Sequence, residues 1–149
     1  MIEILRYVNL SVNATGILVI LVIIICLSMG ENKTDRMNKL FIRGLFACIL
    51  YMLSEALSWM LKGNSDMIWA LRITNDLVFL SGYLILITFT TYLLSYLSDR
   101  QSAPGWVMPF IYSVSAAGLL LMLANRFTGI IYTIDRSGYY QRGSLILLS

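Results

Sequence analysis

Four stretches of the chain are almost free of charge: residues 14–29, 44–61 (broken only by Glu55), 77–97 and 106–125. At about 1.5 Å per helical residue, each approaches or exceeds the roughly 30 Å hydrocarbon thickness of a bilayer. A soluble domain has no use for four such segments. The pattern predicts an all-α fold, an integral membrane helical bundle with helices at about 5–29, 40–61, 67–97 and 106–125, forming one domain over 1–149. A further apolar run opens at Leu145 and is cut off at Ser149. The expectation is therefore four spanning helices and the start of a fifth, in the N-terminal part of a longer protein.

Polar residues punctuate these runs. Lys62-Gly-Asn-Ser-Asp66 reads as the turn closing helix 2. Residues 67–73 are either the first two turns of helix 3 or a separate interfacial helix. Pro104 follows a polar stretch that closes helix 3, and Pro109 is tolerated in the first turn of helix 4. Asn9, Asn13 and Gly16 recur at near-helical spacing and predict a polar stripe facing other helices. Ser113, Ala117 and Gly118 offer helix 4 a close-packing face. Residues 130–142 differ in kind, with β-branched and aromatic residues on both sides of Asp135-Arg-Ser-Gly138, and predict a short β-hairpin between helices 4 and 5, turning at 135–138.

Composition agrees: 58% of residues are hydrophobic and 13% charged, and the net charge is +3. About a quarter charged is usual in soluble domains. The basic residues flank apolar runs, where topology and lipid headgroups account for them, so the lipid bilayer is the expected partner and nucleic acid is not. Lys33, Arg36, Lys39 and Arg43 crowd what reads as the first loop. Totals on the two sides are nearly equal, but the cluster after the first helix carries most weight, favouring an N-terminus outside the cell membrane with the hairpin outside too. Helix 1 lacks a small-residue cleavage site and reads as an anchor rather than a signal peptide. Asn9-Leu-Ser11 and Asn13-Ala-Thr15 match glycosylation acceptors, but at membrane depth they read as chance matches. Cys26 and Cys48 lie within apolar runs and read as small hydrophobes rather than a disulfide. The chain has no histidine, which removes His-ligated haem, His-containing metal clusters and a Ser/His/Asp triad from its own chemistry. No cofactor and no catalytic function is expected of these residues.

Glu55 is the sharpest single feature. It is the one carboxylate inside an apolar run, about 10 Å from the Lys62 end. Burying it costs several kcal/mol unless a counter-charge, a hydrogen bond or a proton compensates. If helix 3 starts near Met67, then Asn75 and Asp76 reach similar depth on the neighbouring helix with Arg72 one turn above, and Glu55, Arg72, Asn75 and Asp76 form an inward polar cluster. That cluster is either a ligand or proton site, or a clasp between helices 2 and 3. If helix 3 starts at Asp76, it dissolves into interface charges. Trp59, Trp69, Trp106, Tyr7, Tyr92 and Tyr96 near helix ends read as an interfacial belt. Tyr132, Tyr139 and Tyr140 could cap the outer mouth of the bundle or anchor it to the membrane surface. The candidate ligand-binding set is Glu55, Arg72, Asn75, Asp76, Tyr132 and Tyr140.

Glu55-Ala-Leu-Ser-Trp59, Gly63, Asn75 early in the next helix, and Ile134-Asp-Arg-Ser-Gly-Tyr-Tyr-Gln-Arg-Gly-Ser-Leu145 together resemble the seven-helix sensor regions that precede histidine kinase or GGDEF diguanylate cyclase domains in bacteria. Glu55 stands where Asp is more usual in those regions, and Ser144 where Pro often follows the Arg-Gly pair. The resemblance implies an N-terminus outside, three helices completed beyond this chain, and a cytoplasmic output domain. The function expected is a sensory input module taking a small-molecule or envelope signal, able to form a homodimer through its membrane helices. Half of a transporter using Glu55 as a coupling site is the second reading, weakened because no run has a mid-helix proline and the mid-run glycines, Gly82 and Gly118, stand singly rather than as a Gly/Pro interruption. A structural membrane subunit is the third.

Overall fold

The computed structural model describes residues 2–30, 35–98 and 104–142. Four long helices follow one another: α1 (Ile2–Met29), α2 (Arg36–Leu61), α3 (Ile68–Ser98) and α4 (Val107–Thr128), with a 3-10 turn at Ser65–Met67 and strands β1 (Tyr132–Ile134) and β2 (Tyr140–Arg142). All four helices are long and apolar enough to cross a membrane. The expected start of a fifth helix lies outside the described residues.

Local chemistry sets the helix ends. The Asp35 carboxylate accepts the amide of Met37 and caps α2, so Arg36, Lys39 and Arg43 ride on its first turns. That corrects their assignment to a loop: the cap lies five residues ahead of Leu40, where the expected helix begins, and a helix continues through basic residues without penalty. Residues 68–73 are the opening turns of α3, which settles the alternative left by the sequence. Gly129, in the left-handed conformation (φ 64°), stops α4 by returning its N–H to the Asn125 carbonyl at 2.9 Å.

Packing runs in chain order, α1 on α2, α2 on α3 and α3 on α4, with the α2/α3 pair the most extensive. The interior mixes polar residues with a few apolar ones, Leu71 above all, and the exterior is largely apolar. Asn13, Ser54, Thr74, Ser81, Ser115 and Asn125 are buried, whereas Val12, Leu18, Leu120 and Phe127 are among many large apolar side chains left exposed. Ser54, Thr74 and Ser81 return their hydroxyls to carbonyls of their own helices (Leu50, Leu71 and Leu77), so burial leaves none of the three unpaired. Water would not tolerate this inverted arrangement, but lipid requires it: small and self-satisfied residues let helices approach, and apolar ones meet the acyl chains. The fold is an all-α membrane helical bundle.

On α4 the face turned inward carries Ser115 and Gly118, the latter with Tyr83 of α3 directly over it. Ser113 and Ala117 are exposed, and Ser113 bonds back to the Pro109 carbonyl. The expected Ser113/Ala117/Gly118 face is thus corrected. Composition showed that helix 4 had small residues, not which side of it α3 would take.

The hairpin forms as expected, antiparallel, with Tyr132 opposite Arg142 and Ile134 opposite Tyr140. Its turn is built by Asp135, whose carboxylate accepts Ser137 N–H, Ser137 Oγ and Tyr139 N–H at 2.9–3.0 Å. Gly138 takes φ 77°, and a Cβ there would stand 3.0 Å from backbone atoms of Asn64. That close approach lets the Gly138 carbonyl accept Gly63 N–H at 2.9 Å. The hairpin thus sits on the α2–α3 turn, at the bundle end where α1 begins and α4 finishes.

Candidate functional site

Everything polar at that end is organised by helix periodicity. Tyr51, Glu55, Ser58, Trp59 and Lys62 recur on α2 at i, i+4, i+7, i+8 and i+11, and Leu71, Asn75, Val78 and Phe79 on α3 repeat the first four of those spacings. Each set therefore forms one stripe. The stripes face each other across a cavity of about 230 Å³ that opens near the helix ends. Apolar and aromatic surface dominates its walls, with one carboxylate and one amide part-way down.

Glu55 is held from α1. Asn9 Nδ2 donates to Glu55 Oε1 at 3.0 Å, and Asn13 Nδ2 donates to Asn9 Oδ1 at 2.8 Å. The Asn9/Asn13 stripe thus faces inward, and Gly16, one turn on, lies against Met52 of α2. Glu55 Oε2 takes no hydrogen bond from any described residue. Opposite it, Asn75 accepts from Ser58 Oγ at 3.0 Å and donates to the Leu71 carbonyl at 2.9 Å, which holds its amide toward α2.

At the mouth, Arg6 reaches over to donate to the Lys62 carbonyl at 2.7 Å, satisfying the C-terminal end of α2, and pairs with Glu3 at 3.2 Å. The Lys62 ammonium lies 4.2 Å from the centre of the Trp59 ring, a cation–π contact. Burial first, and then the neighbouring Arg6, hold the Lys62 amine below the usual lysine range. Trp59 is therefore a wall of the cavity as well as a residue near a helix end, and Tyr92 packs on Phe41 with ring centres 5.3 Å apart. Trp69 and Trp106 are largely exposed, as belt residues would be.

The expected four-residue cluster is split. Arg72 and Asp76 are one turn apart on α3, rotated away from the Leu71/Asn75 stripe, so they address α4 and the hairpin instead of Glu55. Asp76 pairs with Arg126 at 3.0 Å and accepts the Tyr132 hydroxyl at 2.7 Å. Arg72 is exposed and lines a second cleft, of about 320 Å³, with Arg126, Asn125 and Tyr132. The physical reason is angular: one residue along a helix is about 100°, so Asn75 and Asp76, adjacent in sequence, serve different neighbours. Burial first, and then the hydrogen bond to Asp76, hold the Tyr132 phenol well above its ordinary value. Tyr139 stands over Gly63. Tyr140 lies in β2, and its side chain falls outside the described residues.

Two residues of this region carry no signal in the sequence reading. Asn125 is buried and binds the hairpin through both ends of its amide: Oδ1 accepts Ile131 N–H (2.7 Å) and Tyr132 N–H (3.2 Å), and Nδ2 donates to the Tyr132 carbonyl (3.1 Å). Arg126 is the counter-charge of Asp76. Their place at the end of an apolar run, just ahead of Gly129, is the signature of a helix terminus, and that ordinary role conceals the clasp.

The chain is thus a multi-pass membrane protein with a polar, partly aromatic cavity at one end of its helical bundle, beside a docked hairpin. No protein-family model matches it, and neither does any curated protein or any solved structure.

Proposed function

We propose that this chain is the membrane-embedded sensory input module of a bacterial signal-transduction protein, with its N-terminus and hairpin on the outer face of the cell membrane and its signal passed to a cytoplasmic output domain beyond residue 149. The observation that carries the reading is the Glu55/Asn75 cavity between α2 and α3. A small molecule entering there would touch both helices at once, and the α2/α3 pair is the centre of the packing. A ligand that prefers one spacing of those helices over another shifts their equilibrium, which is all that signalling across a bilayer requires. The two stretches that carry the resemblance to kinase and cyclase input regions support it: Glu55, Ser58 and Trp59 line the cavity, and the run from Ile134 contributes to the hairpin beside it.

Two measurements test this. In the full-length protein, Glu55→Gln should reach the membrane at the wild-type level and change the basal activity of the output domain; unchanged output at normal abundance overturns the reading. Loss of proton or cation uptake into proteoliposomes on the same substitution would replace it with the transporter. For orientation, Ser65→Cys and Ser137→Cys, each in a background without Cys26 and Cys48, should both react with a membrane-impermeant maleimide on intact cells. Labelling of both only after permeabilisation would reverse the assignment.

A further inference from the structure

Glu55 and Lys62 stand two turns apart on one stripe of α2 and line the same cavity, with Trp59 between them. Their charges are opposite and graded with depth. The carboxylate is the deeper group, fixed through one oxygen by Asn9 and with no donor to the other among the described residues. The ammonium is at the mouth, beside the Arg6 guanidinium, which bonds to the Lys62 carbonyl and pairs with the exposed Glu3. Between the two ends the walls are mostly apolar or aromatic, from Trp59, Leu71, Val78 and Phe79, with Ser58 and Asn75 bonded to each other. A ligand carrying a single charge would meet its match at one end and repulsion at the other.

We propose that the cavity binds a small organic zwitterion, its ammonium end directed to Glu55 and its carboxylate end to Lys62 at the mouth, with a short aliphatic body between. This rests on the reading of the cavity as a ligand site and names the chemistry of its ligand. The cavity, of about 230 Å³, has room for a small organic molecule of this kind. Lys62 also supplies a reporter. Its ammonium rests on the Trp59 ring at 4.2 Å, and a ligand carboxylate would draw it off.

The test uses the whole chain in phosphatidylcholine nanodiscs, with Trp69→Phe and Trp106→Phe leaving Trp59 as the sole indole. Titration with 5-aminovalerate should give a saturable change in Trp59 emission and a rise in melting midpoint. Pentylamine and valerate, which keep one charge each, should bind at least about tenfold more weakly, as expected for loss of one charge-assisted contact. Glu55→Gln should weaken 5-aminovalerate by a similar factor. Lys62→Met, which keeps an unbranched stem beside Trp59 and removes the charge, should erase its margin over pentylamine. No saturable response to 5-aminovalerate, equal binding of either singly charged relative by the unsubstituted pocket, or indifference to both substitutions would overturn the proposal. Binding with this charge preference but no effect on the output of the full-length protein would uphold the zwitterion site while removing the sensory role.

Discussion

Tyr132 and Asp76, 56 residues apart, are joined by a 2.7 Å hydrogen bond in which the hairpin phenol donates to a carboxylate on α3. With Arg126 on the other oxygen of the same carboxylate, the bond ties α3, α4 and β1 at one point. It turns a three-residue strand pair, too short to hold in water by itself, into a fixed part of the bundle end.

Tyr132→Phe should therefore cost about 1.5–3 kcal/mol of stability, the usual net value of a hydrogen bond to a charged group, read from thermal or denaturant unfolding in detergent. The folded pKa is raised above the ordinary 10.0, so the stabilisation is fully present below pH 10 and is lost as pH rises through the folded value. The difference between Tyr132→Phe and the parent should be constant from pH 6 to about pH 9. A difference that grows or vanishes within that window would mean the phenol is not the donor.

Glu55 should couple to Asn9 and not to Arg72. A double-mutant cycle of Asn9→Ala with Glu55→Gln is expected to show an interaction of roughly 0.5–1.7 kcal/mol, the range of side-chain hydrogen bonds between membrane helices. The cycle of Arg72→Ala with Glu55→Gln should be additive, because the two share no partner and Arg72 faces the second cleft. Strong coupling in the second cycle would restore the single four-residue cluster.

Asp135 makes the hairpin turn sensitive to acid. Hydrogen bonds from the Tyr139 amide first, and then from Ser137, hold its carboxyl below the usual 3.8. A depressed value stabilises the fold above pH 3.8 and ceases to as pH falls through the folded value. Amide exchange at Ser137 and Tyr139 should be protected alike at pH 7 and pH 5 once corrected for intrinsic rates, and should accelerate below about pH 3.8. Asp135→Asn should abolish that acid step.

Gly118→Val should push α3 and α4 apart, since any Cβ at that position runs into the Tyr83 ring. Overpacking of this kind costs about 1–3 kcal/mol. Replacing Tyr83 with Leu in the same chain should recover part of the loss, and the corresponding change at exposed Ala117 should cost little. Equal effects at 117 and 118 would contradict the helix 4 face described above.

The four spans, the hairpin and its turn were legible in the chain because each depends on local composition. The bilayer sets the length of an apolar run, and a turn such as Asp135–Gly138 is closed by its own side chain and a glycine three residues on. Glu55 stood out for the same reason, as a charge where the surrounding composition permits none. Which residue would answer it was not legible. Asn9, Arg72 and Asn75 were all polar groups at a suitable depth, and choosing among them needs the rotation of α1 and α3 about their own axes. Asn125 and Arg126 were hidden because a helix end satisfies their chemistry in isolation. Rotation is decided when helices pack, by small residues such as Gly16 and Gly118 that admit one neighbour and not another. A 100° step per residue makes Asn75 a wall of the cavity and Asp76, its immediate neighbour, the anchor of the hairpin.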